Sequence, residues 1–392
     1  MKAFVLGAGA SKAVGYPLGS ELFDEIDSFV RGSGRMIDRF NYHEDWPALC
    51  KWMESNTNPL IASAYRNRQL EHLFTELDMA EMLRLDGLAA VWRARKRGQT
   101  AAASAKEAWK ALDKATNDYQ RHRQVLLRAL EQYLEFKHHS DASAEGGPQW
   151  DTLVKFGRNL RRGDFVITFN YDATLERVLW HERKWSPKDG YGFELVFREL
   201  VIPGIDASTV DLGTSSIKVL HLHGATGWYD KPVFRDGYVP SGAGFVATED
   251  LSPAPFETPI SLSSTFLQDL GVAAVDASLP MSPTVEPQIL IHPTFLKNYE
   301  MERHGGSTDA FTDLWKVAAR ALREAEWVYI IGYSLPPADS AALTLLLTNC
   351  DRERVEIVNQ DVAANHRLRS LLSSDTMGSP QSFEKWLDTF AD

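Results

Sequence analysis

Cysteine is nearly absent from this sequence, which has only Cys50 and Cys350. Two thiols cannot build a disulfide framework or a four-cysteine zinc site, and such sparse use favours a reducing, cytoplasmic location. Long apolar runs are also missing, because no stretch approaches the roughly 20 residues that a membrane span requires. The apolar run after Lys2 ends at Gly7, too early for the core of a secretory signal. We therefore expect neither export nor membrane insertion.

Basic residues are fewer than acidic ones, with 42 Lys and Arg against 53 Asp and Glu, which gives a formal net charge of −11. Binding to a nucleic-acid backbone depends on neutralising phosphates with Lys and Arg, so direct nucleic-acid binding is not expected. The chain does contain 44% hydrophobic and 24% charged residues over 392 positions. This composition is typical of a soluble globular protein with a sizeable core.

Several short apolar runs end in small or polar residues and are followed by helix-like segments. This alternation is typical of a parallel sheet covered by helices. We therefore predict one α/β domain over residues 1–392, with a Rossmann-like parallel sheet of about six strands flanked by helices. The predicted strands are Phe4–Leu6, Phe165–Phe169, Lys218–Leu222, Ile289–His292, Trp327–Ile331 and Val355–Val358.

Two stretches interrupt the predicted sheet. Residues 67–139, after the first strand–helix unit, are rich in Ala, Glu, Lys, Leu and Arg with apolar residues at helical spacing, which predicts a helical insertion. That insertion is either a solvated cover or a surface for partners. Residues 225–287 are dense in Pro, Ser and Gly, which predicts an irregular loop or lid.

The stretch Gly7-Ala8-Gly9-Ala10-Ser11 follows the first predicted strand. Glycines let the backbone turn sharply and approach a ligand closely, and a helix that starts here offers N–H groups to a pyrophosphate. A tight turn without a ligand is the alternative. Lys12 stands where the dinucleotide fingerprint has its third glycine. SELFDEIDSFV has the pattern of an amphipathic helix, where a dehydrogenase would have a second strand that ends in an acidic residue. Hydride transfer is therefore disfavoured.

Polar residues end two further predicted strands. Thr168, Asn170 and Asp172 alternate and so face one side, toward the crevice in which parallel-sheet proteins bind ligands. Asp172 could equally cap the helix that follows. His221 and His223 also share one face of a strand, but no third metal ligand follows at a recognisable spacing, so we predict no metal site.

Taken in order, the motifs GAGAS, TFNYD, LHLHG, GYSLPPAD and VNQD resemble the sirtuin-like family of NAD-binding domains, particularly the bacterial branch that hydrolyses NAD. The resemblance covers both ends of the chain and its middle strands, and it is poor at 67–139 and 225–287. It implies two phosphate and ribose turns and an asparagine on the adenosine side. Together with the strand-end pattern, it predicts NAD contacts by Gly7, Ala8, Gly9, Ala10, Ser11, Thr168, Gly332, Ser334 and Asn359.

The same resemblance assigns the catalytic roles. Asn170 and Asp172 match the residues beside the nicotinamide ribose, and His223 matches the catalytic histidine. Cleavage of the nicotinamide–ribose bond passes through an oxocarbenium-like transition state. Asn170 can hydrogen-bond a ribose hydroxyl or an attacking water, and His223 can accept a proton near neutral pH. NAD is then the substrate, and no zinc is expected.

The sequence thus predicts an NAD glycohydrolase. A non-catalytic sensor of NAD or ADP-ribose, or a scaffold subunit, is the alternative. A zinc-independent deacylase is a weaker one, because the deacylases carry a four-cysteine zinc module that this chain lacks. Their opening loop also contains a Phe-Arg pair, whereas the loop here reads Gly15-Tyr-Pro-Leu-Gly-Ser20.

The resemblance also implies a biological role and partners. Members of the bacterial branch often act in defence against phage by depleting NAD. Some single-domain members assemble into large rings with a hexameric ATPase of the HerA helicase type. We therefore expect a homo-oligomer, with such an ATPase as a candidate partner and the insertion at 67–139 as the assembly surface.

Overall fold

The structure is a computed structural model that describes residues 1–12, 14–32, 42–56, 58–83, 119–134, 136–137, 148–192, 194–197, 213–230, 245–248, 260–262, 288–290, 307–336, 339–375 and 379–390. The strands are β1 (Lys2–Leu6), β2 (Phe165–Thr168), β3 (Glu194–Phe197), β4 (Lys218–His221), β5 (Gly224–Asp230), β6 (Phe245–Thr248), β7 (Ile260–Leu262), β8 (Gln288–Leu290), β9 (Trp327–Ile331) and β10 (Val355–Val358).

The helices are α1 (Ala8–Lys12), α2 (Leu22–Gly32), α3 (Tyr42–Glu54), α4 (Pro59–Arg66), α5 (Leu70–Leu83), α6 (Pro148–Asn159), α7 (Thr174–His181), α8 (Ser307–Glu324), α9 (Ser340–Asn349), α10 (Val362–Leu372) and α11 (Phe383–Phe390), and residues 119–134 are also helical. None of the described helices combines the length and the apolar character needed to cross a membrane.

The chain forms two compact units. One comprises Met1–Leu18, Leu134–Ile291 and Asn298–Asp392, and the other comprises Gly19–Tyr133 and His292–Lys297. This grouping does not decide whether residues 1–392 act as one domain, which stays a prediction.

A five-stranded, all-parallel sheet with the order β10-β9-β1-β2-β4 lies at the centre of the first unit. Its strands are apolar because both faces of a parallel sheet are covered. One fully buried side chain from each strand illustrates this: Phe4, Val166, Leu220, Ile330 and Ile357 are all 0% exposed. The predicted α/β fold with a Rossmann-like parallel sheet is therefore confirmed, with one strand fewer than predicted.

Aromatic side chains join the sheet to two of its covering helices. The Phe4 ring stacks on the Tyr329 ring of the neighbouring strand at a centroid distance of 5.2 Å. It also meets Phe156 of α6 and Phe390 of α11 edge to face, at 5.3 and 5.9 Å. Burial of a phenylalanine side chain of this kind contributes about 1.5–3 kcal/mol to folding.

One of the six predicted strands, Ile289–His292, does not belong to this sheet. The strand found there is β8, which pairs antiparallel with β5 in a sheet of order β7-β5-β8. A short apolar run has the same pattern in a parallel and an antiparallel sheet, so the sequence could not separate the two. Within 225–287 the described residues are extended, in β5, β6 and β7. The predicted loop or lid otherwise lies outside the described residues.

The described elements between α1 and β2 are all helices. In the second unit, the described helices bury a core that includes Trp46, Leu73, Phe74, Leu77 and Leu130, each 0% exposed. Of the predicted insertion at 67–139, the structure describes 67–83, 119–134 and 136–137. The Ala- and Lys-rich stretch within it lies outside the described residues, so its role in assembly stays a prediction.

The register of the parallel sheet sets the place of the candidate site. Leu6 pairs with both Thr168 and Ile331, and Thr168 pairs with His221. The carboxyl ends of four neighbouring strands are therefore level. The residues that follow them come out at one edge of the sheet, where parallel α/β proteins bind ligands.

Candidate functional site

The turn after β1 lies directly against the turn after β9. The N–H of Gly7 donates to the carbonyl oxygen of Ile331 at 3.0 Å, and the N–H of Gly9 donates to that of Gly332 at 2.8 Å. A Cβ added to Gly7 would lie 2.7 Å from Cβ of Tyr333, and one added to Gly9 would lie 2.8 Å from Cα of Gly332. These glycines are required by the close approach of two turns of the same chain.

Gly332 is restricted in the same way from the other side. Its φ of +61° lies in the left-handed region, and a Cβ there would meet the backbone of Gly9 and Ala10. The predicted contacts of Gly7, Gly9 and Gly332 with NAD phosphates stay predictions. Their N–H groups already donate within the chain, that of Gly332 to the carbonyl oxygen of Val358 at 2.8 Å. The helix α1 that follows Gly7 is only five residues long.

Asn170 lies at the centre of a network that joins the turns after β1 and β2. Its Nδ2 donates to the carbonyl oxygen of Gly7 at 3.0 Å and to Oγ of Ser11 at 2.8 Å. The Ser11 hydroxyl in turn donates to Oδ2 of Asp172 at 2.6 Å. The carbonyl oxygen of Gly7 can only accept, so the amide nitrogen of Asn170 faces it and the orientation of the side chain is determined. Four of the predicted site residues are thus brought together.

Asp172 combines the two roles that its position left open. Its Oδ1 accepts from the N–H of Thr174 at 3.3 Å, in the first turn of α7, while its Oδ2 accepts from Ser11. The helix N-cap itself is Ala173, which has no side-chain bond to the helix. One carboxylate oxygen therefore supports the start of the helix, and the other belongs to the Asn170 network.

Thr168 stabilises the turn after β2 through its side chain. Its side chain is buried, and its Oγ1 accepts from the N–H of Asn170 at 3.0 Å. This local bond bends the chain after β2 so that the Asn170 side chain returns toward Gly7. A contact of Thr168 with NAD stays a prediction.

His221, the last residue of β4, holds the main chain at Asn170. The imidazole is 0% exposed, and its Nδ1 lies 3.0 Å from the carbonyl oxygen of Asn170. Its Nε2 bonds to Oε1 of Glu176, which is also fully buried in α7. Both ring nitrogens face acceptors, so only the doubly protonated ring can donate to both.

The pKa of His221 agrees with that assignment. Burial by itself lowers this pKa, but the charge and hydrogen bond of Glu176, together with the carbonyl of Asn170, outweigh it and the pKa is raised. His221 and Glu176 therefore form a buried ion pair that fixes the turn carrying Asn170. The sequence analysis missed Glu176, because nothing in TLERVLWH distinguishes it from a surface residue of a helix.

His223 has different surroundings, although it is only two residues from His221. It lies in the turn between β4 and β5, 3% exposed, with its ring against Phe169 at a centroid distance of 5.1 Å. Its Nε2 is 3.5 Å from Oδ1 of Asp339, another residue that the sequence analysis did not select. Among the described residues, no group of three or more His, Cys, Asp or Glu side chains could hold a metal ion.

The remaining predicted NAD contacts lie on the turns after β9 and β10. Asn359 is buried, and its Nδ2 donates to the carbonyl oxygen of Tyr333 at 3.0 Å while its Oδ1 accepts from the N–H of Asp361 at 2.9 Å. It thus positions the turn that packs on Gly7. The side chain of Ser334 is exposed, and its carbonyl oxygen accepts from Arg367. NAD binding by Ser334 and Asn359 stays a prediction.

The site thus places an oriented amide, a carboxylate and a histidine on the turns after β2 and β4. An amide can orient a hydroxyl or a water, and a histidine can take up a proton, so the arrangement suits hydrolysis of a polar substrate. In comparisons with known proteins, neither the models of protein families nor the curated proteins include a match to this chain.

Proposed function

We propose that the protein is an NAD glycohydrolase, which uses water to cleave the bond between nicotinamide and ribose. The proposal rests on one observation, the bonds from the Asn170 amide to Gly7 and Ser11 at the carboxyl edge of the sheet. These bonds use the nitrogen of the amide. Among the described residues, no donor reaches its Oδ1, which can therefore accept from a ribose hydroxyl or a water.

The reaction requires little covalent chemistry from the protein. The bond from C1′ of the ribose to the pyridinium nitrogen breaks, and its electron pair neutralises the nitrogen as nicotinamide leaves. Positive charge then develops on the sugar carbon, as in glycoside cleavage. The oxygen of a water molecule bonds to C1′ and gives one proton to His223, which releases it to solvent. The products are nicotinamide, ADP-ribose and one proton.

The described residues suggest how the charges are arranged. Asp172 is buried and accepts from Ser11, whose hydroxyl also accepts from Asn170. A carboxylate behind these two groups favours positive charge in front of them. His221 and Glu176 keep the Asn170 turn in place without touching the substrate. The predicted catalytic set of Asn170, Asp172 and His223 is kept in this proposal.

Incubation of the purified protein with NAD, followed by chromatography, tests the proposal. We expect nicotinamide and ADP-ribose in equal amounts, with production abolished in Asn170→Ala and His223→Ala. Undiminished NAD, also in the presence of any partner that copurifies, would refute hydrolysis. Binding of ADP-ribose without turnover would instead support a nucleotide sensor.

The resemblance in sequence also motivates a wider proposal. An enzyme that destroys NAD without coupling the cleavage to a second substrate is toxic to its own cell, so its activity has to be restrained until a trigger arrives. We propose that the protein works in the cytoplasm as a homo-oligomer in defence against phage, with a HerA-type ATPase as its partner. A mass near 44.0 kDa in light scattering would contradict the oligomer.

A further inference from the structure

Phe169 and Asp339 lie next to His223, and Tyr333 joins the two; we call these three side chains the His223 cradle. The Phe169 ring lies against His223 and also stacks on the Tyr333 ring, at a centroid distance of 4.7 Å and an interplanar angle of 14°. The Tyr333 hydroxyl donates to Oδ2 of Asp339 at 2.8 Å. The other carboxylate oxygen, Oδ1, lies 3.5 Å from Nε2 of His223. The contacts therefore form a closed circuit.

The position of Asp339 makes this arrangement unusual. Asp339 is the N-cap residue of α9, where an aspartate normally accepts from a free N–H group of the helix, but its side chain makes no such bond. Asp361 shows the ordinary arrangement, because its Oδ1 accepts from the N–H of Ala364 at 2.8 Å at the start of α10. The Asp339 side chain therefore does not stabilise the start of α9, although its position would allow it to do so.

Burial adds to the cost of that arrangement. Asp339 is 5% exposed and His223 is 3% exposed. A buried carboxylate destabilises the fold unless a charged or hydrogen-bonding partner compensates it. The hydroxyl of Tyr333 and the imidazole of His223 are the compensating groups on the cradle side. The Asp339 carboxylate is buried in spite of this cost, and it faces a histidine instead of its own helix. It is therefore suited to orient that histidine for proton transfer.

We propose that Asp339 is the positioning residue of His223. The negative charge of the carboxylate, with Oδ1 3.5 Å from Nε2, favours the proton of the neutral ring on Nε2, so the substrate water delivers its proton to Nδ1. Tyr333 fixes the carboxylate, and Phe169 fixes the plane of the ring. This inference rests on the proposed function, since it assigns the proton acceptor of that reaction to one atom.

Kinetics of Asp339→Asn and Asp339→Ala test the inference in a cycle with His223→Ala. With the Tyr333 hydroxyl still donating to the Asn oxygen, the Asn amide nitrogen faces Nε2 and drives the ring proton to Nδ1. We expect kcat to fall roughly 10²- to 10⁴-fold, the range of a general base, while KM changes little. Any residual NAD cleavage by His223→Ala should change by less than about twofold when Asp339 is also replaced.

Controls separate positioning from a general loss of stability. Asp164 is also a buried aspartate, and it accepts from the N–H groups of Lys2 and Arg161, each at 2.8 Å, at the opposite end of the sheet. Asp164→Asn should lower the melting temperature and leave kcat unchanged. Tyr333→Phe keeps the stacked ring and removes the donor to Asp339, so its kcat should fall, but by less than that of Asp339→Asn. Wild-type kcat in both Asp339 variants would overturn the inference.

A spectroscopic measurement separates this inference from the proposed function. In protein labelled with ¹⁵N-histidine, the ring signals of His223 are identified by their loss in His223→Ala. We expect the wild-type signals to show the proton on Nε2 and those of Asp339→Asn to show it on Nδ1. Identical signals in the two proteins would refute the positioning role. A wild-type protein that hydrolyses no NAD would refute the proposed function, and the comparison of signals would still decide the role of Asp339.

Discussion

The side-chain amide of Asn170 donates to the main-chain oxygen of Gly7 at 3.0 Å, which ties the turn after β2 to the turn after β1. Asn170 therefore has two functions in the proposed site. Its nitrogen holds the glycine turn, and its oxygen is the atom that we assign to the substrate. A residue that belongs to the fold and to the chemistry at once makes both sensitive to one substitution.

Substitution of Asn170 should affect activity and stability together. Asn170→Ala removes the bonds to Ser11 and to the carbonyl oxygen of Gly7, which keeps the N–H of Ala10 as a donor, so we expect about 1–3 kcal/mol less free energy of unfolding for the two bonds as well as loss of NAD turnover. Asn170→Asp should be more destabilising, since it turns a carboxylate oxygen toward that carbonyl. Urea unfolding and the NAD assay measure the two effects.

A control for the Asn170 variants is available at the end of α9. Nδ2 of Asn349 donates to the carbonyl oxygen of Leu345 at 2.7 Å, within half-buried surroundings. Asn349→Ala should cost less than about 1 kcal/mol and leave turnover unchanged. Unchanged stability of Asn170→Ala would show that its bond to Gly7 contributes nothing to the fold.

Gly332 should tolerate no side chain. Gly332→Ala forces a Cβ into the left-handed region, at about 1–2 kcal/mol, and pushes it against the backbone of Gly9 and Ala10, for a total of about 2–4 kcal/mol. Gly163 is the matched control, because its φ is +88° but nothing lies within 4 Å of an added Cβ. Gly163→Ala should cost only about 1 kcal/mol. Equal losses for the two variants would show that the turns can move apart.

The sheet was predictable from local patterns because a strand buried on both faces has to be apolar. Trp327–Ile331 and Val355–Val358 are strands over the residues that were predicted. The order of the strands and the antiparallel place of β8 depend on contacts between distant segments, which no local pattern records. The same holds for the glycines, since the neighbour that forbids a side chain at Gly9 is Gly332.

The site was predictable only where its residues follow strand ends. Asn170, Asp172 and His223 stand at such positions, and the structure brings Asn170 and Asp172 into one network through Ser11. Glu176 and Asp339 lie within or next to helices, where acidic residues are common. Their partners, His221 and His223, come from a strand end that is remote in the sequence. Only the tertiary structure distinguishes these carboxylates from the many on helix surfaces.

The His221–Glu176 pair should contribute strongly to stability. His221→Leu leaves the carboxylate of Glu176 buried without its partner, and the loss of one member of a buried pair typically costs about 3–5 kcal/mol. The exposed pair of Lys155 and Asp388, with an N···O distance of 2.6 Å, is the matched comparison. Asp388→Asn should cost at most about 1 kcal/mol. Similar losses for the two variants in urea unfolding would contradict a special role for the buried pair.

The contribution of His221 should also depend on pH, in a direction that follows from its pKa. Burial lowers this pKa, but Glu176 and the Asn170 carbonyl raise it by more than burial lowers it. The pKa in the folded protein therefore lies above the ordinary 6.5. Between 6.5 and the folded value, the folded protein binds more protons than the unfolded chain, and its stability falls as the pH rises. The difference in free energy of unfolding between wild type and His221→Leu should therefore be largest below pH 6.5 and shrink through the folded pKa. Urea unfolding of both proteins across this range measures it, and a difference that stays constant with pH would show that His221 does not gain a proton on folding.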